Sequence, residues 1–78
     1  MTDRLIELFS GILGVGPDTL NDESSPANTP SWDSMSNIML VTEIEALFGV
    51  ELSTSDIESM NSIGRARAVL QRLGVSEL

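Results

Sequence analysis

The sequence has no cysteine, histidine or tyrosine, and its four basic residues, Arg4, Arg65, Arg67 and Arg72, leave no lysine. Without cysteine it can form neither a disulfide nor a thiolate metal site, a composition compatible with a reducing cytosol. Without His, Cys, Lys or Tyr, no side chain has an unperturbed pKa near neutrality. A Ser-His-Asp or Cys-His centre cannot be built from this chain alone. Carboxylates remain, but a small fold offers little depth in which to raise one into a general base. The expectation is a protein with no catalytic residues, not an enzyme.

Other shortages narrow the partners. The net charge is −8, so a nucleic acid would be repelled and basic protein surfaces are the natural counterparts. The same acidity also serves solubility, and by itself decides little. The stretch MTDRLIELFSG has no basic region before a long apolar run, so neither a signal peptide nor a membrane span is expected, and the expected location is cytoplasmic. Asp18, Asn21, Asp22 and Glu23 cluster ligand types. A calcium loop starting at Asp18 would need glycine at its sixth position, where Glu23 stands. A solvated loop is the reading, with no metal site. Gly11, Gly14 and Gly16 lack the lysine and flanking strand of a phosphate loop.

What is present is helical periodicity. The 78 residues make one small domain, 1–78, whose core is marginal. Leu5, Ile6, Phe9, Ile12 and Leu13 recur at helical spacing and predict a helix from about Asp3 to Leu13, with Thr2 as a cap. Gly14, Gly16 and Pro17 stop it. From Val15 to Trp32 a long connection is interrupted by Pro17, Pro26 and Pro30. Val15 and Leu20 are its candidate anchors, and Pro17–Leu20 is a candidate helical turn. Ser53-Thr54-Ser55-Asp56 predicts a capping box and a short helix with Ile57 and Met60 turned inward. Asn61 or Ser62 caps a last helix with Ile63, Ala66, Val69, Leu70 and Leu73 on its inner face. Gly74 ends it, and Arg72 sits favourably in its last turn. Arg65 and Arg67 point outward, where they would pair with helix acids. The expected fold is all-α: a four-helix bundle of three main helices and a short third, with a long first loop.

The stretch Pro30–Gly49 organises the rest. Asp33 is a good N-cap, Ser34 opens the helix, and Gly49 followed by Val50 predicts a Schellman ending. An exposed hydroxyl at a helix start suits a phosphate-linked group, because free N–H groups and the helix dipole favour an anion there. On a helical wheel Leu40, Val41, Ile44, Leu47 and Phe48 form the core face. Met35, Met39, Thr42 and Ala46 form a second, narrow apolar stripe on the opposite side, flanked by Glu43 and Glu45. Either Met35 and Met39 are exposed and meet partners through adaptable thioethers, or the long loop folds back over them.

Asp33-Ser34-Met35, followed by Leu40/Val41, Ile44/Glu45 and Phe48 in a short acidic chain, resembles the modification site and second helix of acyl carrier proteins, a resemblance running from Leu5/Phe9 to Val69–Leu73. It implies that Ser34 is esterified to 4′-phosphopantetheine taken from coenzyme A, with Asp33 as cap and aid to recognition. The arm's thiol then carries acyl groups as thioesters. It also implies Met35, Met39, Glu43 and Glu45 as the docking surface of a monomeric carrier. The partners would be a phosphopantetheinyl transferase and acyl-loading, acyl-transfer or condensing enzymes with basic docking surfaces. Fatty-acid carriers usually have acids where Ser36 and Met39 stand, and peptidyl carriers usually show Gly-Gly-x-Ser-Leu, which Trp32-Asp33-Ser34-Met35 does not match. The reading therefore leans to polyketide or other specialised biosynthesis over bulk fatty-acid synthesis. A peptidyl or aminoacyl carrier, or an unmodified helical adaptor binding through Met35 and Met39, are the alternatives. Phe9, Leu40, Ile44 and Val69 are read as plain core, with shelter for a short acyl chain as the alternative.

Overall fold

A computed structural model describes residues 3–76. Its regular elements are α1 (Arg4–Leu13), a 3₁₀ turn (Pro17–Thr19), α2 (Ser34–Phe48), α3 (Thr54–Ser59) and α4 (Ile63–Arg72). The all-α expectation, with a long first loop and a short third helix, holds among the described residues.

Each helix starts where a short polar side chain replaces the missing intrahelical acceptor. Asp3 Oδ1 accepts from the N–H groups of Leu5 and Ile6, both at 3.1 Å. Asp3 is therefore the N-cap of α1 rather than its first helical residue, and the expected cap, Thr2, lies outside the described residues. Ser53 and Asp56 form the predicted capping box of α3, each bonding the other's backbone N–H at 3.1 Å. Of the two candidates for α4, Ser62 is the cap: its hydroxyl accepts from Arg65 N–H at 3.1 Å. At the far end of α2, Gly49 takes φ 66°, a left-handed conformation that costs a glycine little, and its N–H bonds the Glu45 carbonyl.

The core joins Leu5, Phe9 and Leu13 of α1 to Leu40 and Ile44 of α2 and to Ile63, Ala66, Val69 and Leu70 of α4. Met60 plugs the turn between α3 and α4, and Ile57 is half-buried beside it. Two expectations are corrected here. Leu47 was placed on the core face but is 47% exposed, because it lies at the edge of the face defined by Leu40 and Ile44. Leu73 was placed on the inner face of α4 but is exposed, because the helix ends at Arg72 and Leu73 is its C-cap.

The long loop is built rather than slack. Leu20 is buried and Val15 half-buried, as the anchoring role requires. Between them and α2 the chain braces itself: Ser24 Oγ accepts from Asn21 N–H at 3.0 Å, and Asn28 Oδ1 accepts from Ser25 N–H at 2.9 Å. The loop also closes α4. The carbonyls of Ser24 and Asp22 accept from the N–H groups of Ile63 (3.0 Å) and Gly64 (2.9 Å). Two of the helix's orphan donors are thereby satisfied by backbone more than thirty positions upstream.

Arg67 corrects the outward placement. Its side chain is half-buried and reaches Asp3 Oδ2 at 2.8 Å and Asp22 Oδ1 at 2.9 Å, tying α4 to the start of α1 and to the loop. Partial burial opposes charge on both Asp3 and Arg67. The hydrogen bonds and charges between them outweigh it, so Asp3 is held below the ordinary carboxylate range and Arg67 above the ordinary arginine value. Arg65 is exposed, as expected. Arg72 pairs with Asp56, adding a tie between α3 and α4.

Candidate functional site

Ser34 is the first residue of α2 and is exposed. Its position follows from what the next residues do. Asp33 Oδ1 accepts from Ser36 N–H at 2.9 Å, and this bond, against an opposing desolvation, holds the Asp33 carboxyl below the ordinary carboxylate range. Ser36 Oγ donates to the Ser31 carbonyl at 2.8 Å, and Asn37 Oδ1 accepts from Trp32 Nε1 at 3.2 Å. Side chains on both sides of Ser34 thus fasten the helix start to the loop, while Ser34 itself faces solvent.

Trp32 is the anchor that the sequence reading missed. It is buried against Phe9, two positions before the exposed serine. A lone tryptophan at the end of a polar loop was the available signal, since so large an apolar side chain is seldom left in water. Ser24 and Thr29 are also buried, and were likewise not singled out.

Ser34 and Asp33 line a groove of about 520 Å³ together with Pro26, Trp32 and Asn37. Its other wall comes from α3 and the turn after it: Ile57, Glu58, Met60 and Asn61. The groove mixes apolar surface with two carboxamides, Asn37 and Asn61, and two carboxylates, Asp33 and Glu58, a lining with both polar and apolar parts.

The second stripe of α2 is open to solvent. Met35 is 74% exposed and Met39 49%, and Thr42 and Ala46 are exposed as well. The loop does not cover them. Ile38, which the wheel did not assign to the stripe, is 68% exposed and widens it. It stands one turn beyond Ser34 on nearly the same line of the helix. The two flanking acids differ. Glu43 is exposed, whereas Glu45 is half-buried and its carboxylate accepts from Leu52 N–H at 2.8 Å, holding the connection to α3. Phe9, Leu40, Ile44 and Val69 sit together in the packed core.

Among the described residues no helix is long and apolar enough to cross a membrane. None of their His, Cys, Asp and Glu side chains gather in a group of three or more able to hold a metal ion.

No family model matches the chain. Its sequence is 25% identical over 69 residues to the meromycolate extension acyl carrier protein of Mycolicibacterium aurum, an alignment covering 88% of this chain and 71% of that protein. The protein of the same name from Mycolicibacterium smegmatis is also 25% identical over 69 residues, covering 88% of this chain and 70% of its own length. These distant relatives are acyl carrier proteins by name, and they support a carrier role.

Proposed function

We propose that this chain is an acyl carrier protein and that Ser34 is its attachment point for 4′-phosphopantetheine. The observation that carries the reading is an exposed serine opening a capped helix, beside a groove, in a fold with distant carrier relatives. The residues fit the group: the hydroxyl is reachable, the helix start favours a phosphodiester, and the groove beside Ser34 has the mixed lining that such an arm requires.

In the attachment step, Ser34 Oγ attacks the phosphorus of coenzyme A that bears the pantetheine. A new P–O bond forms, the pyrophosphate bond breaks, and 3′,5′-ADP leaves. The serine proton passes to a base on the transferase, since this chain has no group suited to the task. When bound, the group supplies a thiol that holds an acyl cargo as a thioester. This chain's own residues do the rest. Asp33 caps α2, Ser36 and Asn37 hold the loop, and Met35, Ile38, Met39 and Glu43 present an apolar, acid-flanked surface to visiting enzymes. Glu45 contributes to that surface only from its edge.

The relatives' acyl-carrier names favour an acyl cargo over the peptidyl or aminoacyl alternative. An α2 with Ser36 and Met39 in place of acids favours polyketide or other specialised biosynthesis over bulk fatty-acid synthesis. The test is intact mass after incubation with coenzyme A and a broad-specificity transferase. A gain of one phosphopantetheine is expected, and Ser34→Ala should abolish it. No gain with several transferases would leave the unmodified adaptor, bound through the Met35/Met39 stripe, as the better reading.

A further inference from the structure

The far end of α2 carries a second groove, unconnected with Ser34. It lies between α1 and the last turns of α2, has a volume of about 420 Å³, and is floored by Leu8, Ile12 and the half-exposed Leu47. Gly11 opens its α1 wall: a Cβ built there meets nothing within 4 Å. Two carboxylates edge it, Glu7 from α1 and Glu43 from α2, and both residues are exposed. Among the described residues Arg4 is the cation in its lining, with its guanidinium 5.1 Å from the centre of the Phe48 ring. Leu47 is about 20 Å along the helix axis from Ser34, at ~1.5 Å rise per residue.

We propose that this groove is a docking site for a cationic amphipathic helix of a partner protein. The occupant follows from charge and shape. An apolar trough between two helices takes the apolar stripe of a third, with large aliphatic side chains at i and i+4. The acid lips select lysine or arginine flanking that stripe, and the protein's net charge of −8 steers such a helix in while repelling anionic membranes and nucleic acid. A partner seated here covers Glu43, at the edge of the surface proposed to meet visiting enzymes, and leaves Ser34 and the exposed Met35, Ile38 and Met39 uncovered. The site therefore serves attachment of the protein to an assembly rather than chemistry at the serine, and it stands whether or not Ser34 is modified.

The experiment titrates the ¹⁵N-labelled protein with a synthetic lysine/leucine amphipathic helical peptide at low ionic strength. Amide shifts are expected between Glu7 and Ile12 and between Glu43 and Leu47. The Glu7→Gln/Glu43→Gln double variant should weaken binding at least tenfold, and a peptide with its leucines replaced by asparagine should not bind. Gly11→Leu keeps both acids but fills the trough, and should also weaken binding at least tenfold with a melting temperature no lower than the parent's. Shifts centred on Met35 and Met39, binding by the leucine-free peptide, or unchanged affinity in either variant would overturn the proposal. Transferase-dependent mass gain at Ser34 is read in parallel and should proceed equally with the peptide bound. Loss of that gain only while the peptide is seated would overturn the proposal, because the groove would then overlap the approach to Ser34, whereas absence of the gain without peptide would count against the role of Ser34 alone.

Discussion

The rings of Trp32 and Phe9 meet edge to face, with centroids 5.1 Å apart and planes at 66°. One ring comes from the middle of α1, the other from the last residues of the loop before Ser34. Their contact joins the loop before Ser34 to the core, as Leu40 and Ile44 join the helix after it. Such a pair contributes about 0.5–1.5 kcal/mol beyond its area, and the indole adds a hydrogen bond to Asn37.

Trp32→Ala should therefore be severe. Emptying a buried aromatic site costs about 3–5 kcal/mol, against a total of ~5–15 kcal/mol for a typical fold. Trp32→Phe keeps one ring against Phe9 but loses the Asn37 bond, about 1 kcal/mol, and leaves a partial cavity, so its cost should lie between that value and the alanine variant's. Urea midpoints decide between them. A loss below ~1 kcal/mol for the alanine variant would mean the loop is held elsewhere.

Gly64→Ala sets two effects against each other. Alanine favours a helix interior over glycine by about 1 kcal/mol. Yet a Cβ at Gly64 would stand 2.9 Å from the Asp22 carbonyl oxygen and 3.2 Å from Asp22 Cβ. That carbonyl cannot retreat without breaking its bond to Gly64 N–H. Overpacking of about 1–3 kcal/mol should win, so thermal unfolding should show the alanine variant to be the less stable. A rise in melting temperature would show that the loop yields.

The Arg67 clamp gives a pH signature. The Asp3 carboxyl is depressed in the folded state, so its ionic tie contributes above the unfolded pKa of about 3.9 and is lost as pH falls through the lower folded value. Arg67→Gln should accordingly lower stability at neutral pH. The gap to the parent should narrow as the pH drops below ~4. Comparing the two proteins removes the general effect of neutralising the other acids. A gap that stays constant into strong acid would show that the arginine acts by packing alone.

Ile38→Glu and Met39→Glu test the exposed face of α2. Neither side chain is in the core, so melting temperatures should change by no more than ~0.5 kcal/mol would produce. Turnover by enzymes acting on the modified protein should fall by about an order of magnitude if each residue contributes ~1.4 kcal/mol to docking. Unaltered turnover in both variants would remove this face from the interface.

Much of this arrangement was legible from residue order. Asp33, Ser53 and Ser62 announce helix starts because a short acceptor before a periodic apolar run has a local job, and local jobs show in sequence. Core positions such as Phe9, Leu40, Ile44 and Ala66 follow from period alone. The misses share a cause. Trp32, Arg67 and Gly64 take their roles from partners remote in sequence, and Leu47 and Leu73 stand where a stripe or a helix ends. Periodicity cannot show which edge of a face a neighbour covers. The exposure of Met35 and Met39 depended in the same way on where the loop runs.

The backbone bonds from Ile63 and Gly64 to Ser24 and Asp22 also order events during synthesis. α1, the loop and the serine are synthesised before α4, and until α4 has folded the loop lacks the donors that lock it. The nascent protein thus holds its serine on an unfinished platform. If Ser34 is modified as proposed, an enzyme that reads its surroundings, and not just its hydroxyl, would pass over immature chains and accept only those whose last helix has docked.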